Sequence, residues 1–201
     1  MEPVTFVKLA HLLGLIMGLG GALLSDYIVA TQAVLRPVTH GAIRQIHSLS
    51  QFVALGLGLL WISGTGLAIF GIAMDARFVE NPKFWCKVAI VTVLTLNSLL
   101  IHFFALPRMQ RSLGRRLMFD GPRKEATQLA FIGSLSFVSW MTAFILGTAK
   151  EFNFRTPAWE IAAAYVLTVL LVWFLWIAAI SGHHSWRDAK RRRAIARRST
   201  A

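Results

Sequence analysis

FWCKVAIVTVLTLNSLLIHFFAL, residues 84–106, decides the fold. The stretch carries one charge, Lys87, near its start and one histidine, His102, near its end. About 20 apolar residues in a helix cross ~30 Å of hydrocarbon. Strands run to only about 4–8 residues, too short for this pattern. Lipid offers the backbone no hydrogen bonds, so a run of this length reads as a transmembrane α-helix. Four more runs match it, at about 6–29, 52–74, 129–149 and 159–181. The expectation is an all-α integral membrane bundle of five helices within residues 1–181, followed by a basic tail, 182–201.

Turn signals fall between the runs. Arg36-Pro37 separates the first two, and Asn81-Pro82 opens the third, with proline tolerated in a first helical turn. Leu106-Pro107 is expected to close it, and Asp120-Gly121-Pro122 marks a further turn. Thr156-Pro157 introduces the last span with Thr156 as a candidate N-cap. Glu2 precedes any base and His11 interrupts the first apolar run, so this run is expected to persist as a span and not as a cleaved signal. The single cysteine, Cys86, excludes an intrachain disulfide.

The composition is 56% hydrophobic and only 15% charged. Lys and Arg number 21 against 9 Asp and Glu, a net charge of +12. Such a balance in a soluble chain points to nucleic acid, but here the bases sit in membrane-flanking segments. Arg36 and Arg44 lie in the first connection. Arg108, Arg111, Arg115, Arg116, Arg123 and Lys124 lie in the third, and Arg187, Lys190, Arg191, Arg192, Arg193, Arg197 and Arg198 lie in the tail. Those fifteen share one side of a five-span protein. Lys8, Arg77, Lys83, Lys87, Lys150 and Arg155 make six on the other. The positive-inside rule then places the N-terminus outside and the C-terminus in the cytoplasm of a bacterial inner membrane. Phe84, Trp85, Phe152, Phe154 and Trp159 are placed at the outer interface, and Tyr27, Phe119 and Trp186 at the inner one. The basic segments suit anionic lipid at the cytoplasmic face. Met109, Leu113 and Leu117, spaced by four, suggest a short amphipathic helix lying on that leaflet. No nucleic-acid module is present.

Ionisable residues within spans are costly and tend to be functional. His11, Gly14, Gly18, Gly21 and Ser25 fall on one face of the first span. The glycines read as a close-packing stripe, within the chain or between copies of it. A histidine on the same stripe is expected to face the bundle interior. Asp26 lies near the inner end of that span and calls for a partner from among His47, His102, Arg36 and Arg108. Asn97 is expected to hydrogen-bond across helices. At 1.5 Å per residue, His11 lies roughly 8–10 Å below the outer surface and His102 roughly 6 Å above the inner one. These two cannot share one haem. Two layers remain as candidate metal or cofactor sites, an outer one of His11 with Lys87 and an inner one of His47, His102 and His183 near Asp26. Imidazole suits haem iron, copper or zinc, and no CxxCH, HExxH or Met-rich copper motif is present.

Phe6-Val7-Lys8-Leu9-Ala10-His11 before a glycine-rich span, and Pro82-Lys83-Phe84-Trp85-Cys86-Lys87 opening a later one, resemble the small polytopic bacterial proteins of the HemJ and CopD-like type. The HemJ-type resemblance implies haem b and porphyrin-related redox chemistry, with His11 an axial ligand and Lys87 a second. The CopD-like resemblance implies copper handling, for which this chain lacks the Cys and Met wealth. The leading expectation is thus a haem-b-binding membrane protein, with His11 first and His102 next as ligands. The alternative is a non-enzymatic scaffold, assembly factor or small transporter subunit in which Asp26 is structural.

Overall fold

The computed structural model describes the backbone of residues 3–149 and 156–199, and side chains as far as residue 183 apart from Ala33 and Ala76. Lys150, Phe152, Phe154 and Arg155, and the side chains of His184, Trp186 and the tail bases, lie outside the described residues.

Helix α1 spans Pro3–Val29, α2 His40–Met74, α3 Pro82–Leu100, α4 Leu106–Arg111, α5 Arg123–Thr148 and α6 Ala158–Ser199. Five stretches are long and apolar enough to cross a membrane: Pro3–Gln32, His40–Met74, Pro82–Arg111, Arg123–Thr148 and Ala158–His183. This is the architecture of a multi-pass membrane protein. Helix α2 begins twelve residues before the apolar run at Phe52. Its 35 residues extend ~52 Å, well beyond the hydrocarbon thickness. Thr39 caps it, accepting a hydrogen bond from Ala42 N at 3.1 Å. Asn81 caps α3 in the same way, from Lys83 N at 3.1 Å, with Pro82 in the first turn.

Leu106-Pro107 does not close the third span. The chain passes through a wide π turn, Ile101–Ala105, and continues as α4 to Arg111. Pro107 has no N–H to offer the carbonyl four residues earlier, and one wide turn accommodates it without ending the helix. A second π turn, Ala30–Val34, follows α1.

The amphipathic surface helix expected over residues 108–119 does not form either. Met109 and Leu117 are buried in the core, and the helix stops at Arg111. Val38 of the first basic connection pairs in parallel with Leu113 of the third. Val38 N donates to Arg115 O and Gly114 N to Val38 O, both at 3.0 Å. Gly114 has φ +73°, the left-handed region that glycine adopts without steric cost. The two arginine-rich connections are thereby knit together at one end, over a core that includes Ala42, Ile46, Leu106, Leu129 and Ile180. This is the basic end.

Helix α5 is central. It packs against α1, α3 and α6, whereas α2 packs mainly against α1. At the opposite end Leu60, Ile90, Leu94, Trp140 and Leu146 form a second core. The connection from α2 to α3 is a short 3₁₀ turn, Ala76–Glu80, started by Asp75, whose carboxylate accepts from Arg77 N at 3.0 Å. That backbone bond, aided by the Arg77 side chain, holds the exposed Asp75 carboxyl below its ordinary range. A depressed carboxylate stabilises the fold above its unfolded pKa and loses that effect as pH falls through its folded one. Thermal stability of Asp75→Asn is therefore expected to lie slightly below wild type at neutral pH. The two should converge under acid, below the usual aspartate value of about 3.9. A constant gap across that range would count against the cap.

Candidate functional site

The glycine stripe faces α2, as its periodicity implies. Gly14, Gly18 and Gly21 are buried. A Cβ at Gly14 would lie 2.9 Å from Gly56 O and one at Gly21 would lie 2.8 Å from Val53, both on α2, while one at Gly18 would run into the Trp140 ring of α5. Contacts within the chain therefore occupy this face, and pairing of copies through it is not available.

His11 continues the stripe and meets α2 one level further from the basic end. Its Nδ1 lies 3.0 Å from Ser63 Oγ. Ser63 is buried, and its one hydroxyl proton goes to Leu59 O at 2.5 Å. With that proton on Leu59 O, Ser63 Oγ is assigned as the acceptor from His11, which puts the imidazole proton on Nδ1 and leaves Nε2 as the ring's acceptor nitrogen. Metal-ligating histidines are commonly held this way, with one nitrogen donating to an orienting group. Lys87 on α3, half-buried, stands within electrostatic range of the His11 ring. Among the described residues the only ion pairs are Arg77–Asp75 and Arg116–Asp120, so no carboxylate neutralises Lys87 there. The two residues that sequence spacing assigned to an outer layer thus come together from α1 and α3. Ser63, the residue that sets the tautomer, carried no signal in the sequence. One serine among many small residues on an apolar helix is unremarkable until the helix is docked.

The inner layer is assembled differently from expectation. A cavity of about 770 Å³ opens among the five spans toward the basic end, within the ~300–1,000 Å³ of ordinary ligand pockets. Asp26 and His102 line it, together with Ser25, Asn97, Ser134, Trp140 and Trp176. Both π turns contribute to its wall through Ala30, Val34, Ile101, His102 and Ala105. π turns recur at functional sites because they turn side chains off the regular helical stripe. His102 is exposed, with its ring edge-on to Phe103 at 5.2 Å. His47 does not join it. Its ring is exposed on α2, with Gln51 Nε2 3.5 Å from its Nε2. His183 stacks on Phe119 at 4.2 Å and does not line the cavity.

The expected ion pair to Asp26 is not formed. Its Oδ2 has no hydrogen-bond partner, and neither Arg36 nor Arg108 reaches it. Asn97 does bridge helices, with Nδ2 donating to Ile132 O of α5 at 3.2 Å.

Among the described residues no group of three or more His, Cys, Asp or Glu could hold a bare metal ion. Haem iron brings four nitrogens of its own and needs one or two protein donors. At the outer layer the nitrogen donors on hand are the His11 ring and the Lys87 amine, the latter within electrostatic range of the former. The chain matches no known protein family, no curated protein and no solved structure.

Proposed function

We propose that this is a haem-b-binding redox protein of a bacterial inner membrane, with its N-terminus outside and its basic end in the cytoplasm against anionic lipid. One observation carries the reading: the Ser63–His11 hydrogen bond leaves Nε2 as the ring's acceptor nitrogen on an interior helix face with Lys87 in range. His11 would hold the iron and Lys87 would be its second ligand. Ser63 holds the imidazole in the tautomer that binding needs. The bound haem supplies one-electron chemistry. Positioning is left to α1 and α2, whose close contact at Gly14 and Gly56 fixes the height of the His11 ring.

The test is an absorption spectrum of detergent-purified protein expressed with ample haem. A Soret band is expected in wild type and in His102→Ala and His47→Ala. It should be lost in His11→Ala, and Lys87→Ala should shift it toward a five-coordinate, high-spin form. A wild-type protein without the band, or a His11→Ala protein that keeps it unchanged, would remove the haem reading.

Orientation has its own test. Alkaline phosphatase fused after residue 78 should be active, and fused after residue 118 inactive, because the enzyme folds only outside the cytoplasm. The reverse pattern would invert the topology.

A further inference from the structure

The cavity at the basic end lies apart from the His11 layer, and its lining includes a buried acceptor without a donor. Ser25 Oγ donates to Gly21 O at 2.8 Å, Ser134 Oγ to Ala130 O at 2.8 Å and Ser50 Oγ to His47 O at 2.7 Å. A hydroxyl has one proton, so all three have only lone pairs left to offer. Asn97 is 1% exposed and spends an amide proton on Ile132 O. That bond fixes the orientation of the amide, since flipping it would set oxygen against carbonyl oxygen. Its Oδ1 is left with no partner, as is Oδ2 of Asp26. Buried acceptors without donors are unfavourable, so an occupant that brings O–H or N–H groups is favoured over one that does not. Around these groups the wall is apolar and aromatic, with Trp140, Trp176 and Phe137. Two of its lining residues, Leu99 and Phe137, are also exposed on the apolar outer surface of the bundle.

We propose that this cavity binds a lipid-soluble molecule with a hydroxylated aromatic head, of the phenol or hydroquinone class, whose O–H donates to Asn97 Oδ1. The ring matches the tryptophan-lined wall, and an alkyl tail is placed toward Leu99 and Phe137. A cationic amine is the poorer match, because most of the acceptors are neutral and an ammonium loses its hydration in such a wall. An acceptor-only head would leave Asn97 Oδ1 without a donor. The site does not depend on haem at His11.

The test uses full-length protein in phosphatidylcholine nanodiscs and two nearly isosteric, redox-inert probes, 4-decylphenol and 4-decylanisole, with decylammonium as the cationic arm. Calorimetric titrations are corrected with empty nanodiscs. The phenol is expected to bind about ten-fold more tightly than its methyl ether, the worth of one net hydrogen bond to a buried acceptor. Asn97→Leu should bring that ratio toward one. His11→Ala should leave it unchanged, so failure of the haem reading and failure of this one are separable. Equal affinity for phenol and anisole in wild type would overturn the proposal, as would tighter binding of decylammonium. Should either variant fail to fold, the wild-type ratio decides.

Discussion

Gly56→Val is expected to cost about 3 kcal/mol or more and to abolish the folded bundle at ordinary temperatures. A Cβ at Gly56 would lie 2.6 Å from Gly18 N and 2.9 Å from Gly14 O, both backbone atoms of α1. Side chains can rotate away from an intruding methyl group, but a helix backbone cannot. Relief requires α1 and α2 to separate, and almost everything α2 packs against is α1. Water is absent from such an interface and lipid tails are as apolar as the helices, so association rests on close approach of the backbones. Separating them therefore removes the main attraction. Gly58, two residues further along and on the opposite face of the same helix, has nothing within 4 Å of its Cβ. Gly58→Ala is accordingly the control, with stability equal to wild type or slightly above it. Thermal unfolding of detergent-purified proteins, followed by tryptophan fluorescence, checks both. A Gly56→Val protein within about 0.5 kcal/mol of wild type, the range of ordinary surface substitutions, would show that the α1–α2 contact is not the one described.

Lys83→Met is expected to be the most damaging change of a single charge, at about 2 kcal/mol. Lys83 is 3% exposed, and its ammonium donates to the carbonyl of Ala149, just past the last residue of α5. The final carbonyls of a helix have no N–H partners within it and carry the negative end of its dipole. A buried cation there satisfies the acceptor and the dipole together, and ties the start of α3 to the end of α5. Methionine keeps the volume and removes the donor, so the change isolates the electrostatic part. Lys83→Arg, with a longer and planar group, is expected to recover part of the loss. Unfolding temperature reads the overall effect. Hydrogen exchange at residues 145–149 reads the local one, with faster exchange expected at this end of α5 than at its middle. Unchanged exchange there would separate Lys83 from the helix end.

His11 and Lys83 show how far the residues could be read before folding. His11 stood out because imidazole on a glycine stripe is chemically anomalous, and periodicity alone directed it inward. Lys83 did not stand out. A lysine at the start of a span reads as a charge reaching for the surface, and only the position of the α5 end reveals why it is buried. Asp26 was legible as unusual, but the partners offered for it were chosen by depth. Depth along the membrane normal says nothing about azimuth, so a residue expected at the level of Asp26, such as His47, need not share a wall with it. Pro107 misled for a related reason. Its missing N–H is a local fact, but whether a helix ends there or absorbs it in a wide turn depends on what the continuing segment can pack against, here the core around Met109 and Leu117.

By itself, the sequence determined the number of long apolar helices, their approximate limits, the concentration of bases in alternate connections and the tail, and the inward face of α1. All of these follow from one-dimensional quantities: run length against hydrocarbon thickness, charge count per connection, and the 3.6-residue period. Only the packed helices reveal that Ser63 meets the His11 ring, that His47 stays apart from His102, and that a cavity opens beside the unpartnered Oδ1 of Asn97. Each depends on the rotation and docking of one helix against another, and near-uniform apolar surfaces leave those rotations almost undetermined until small residues, wide turns and single polar contacts select among them.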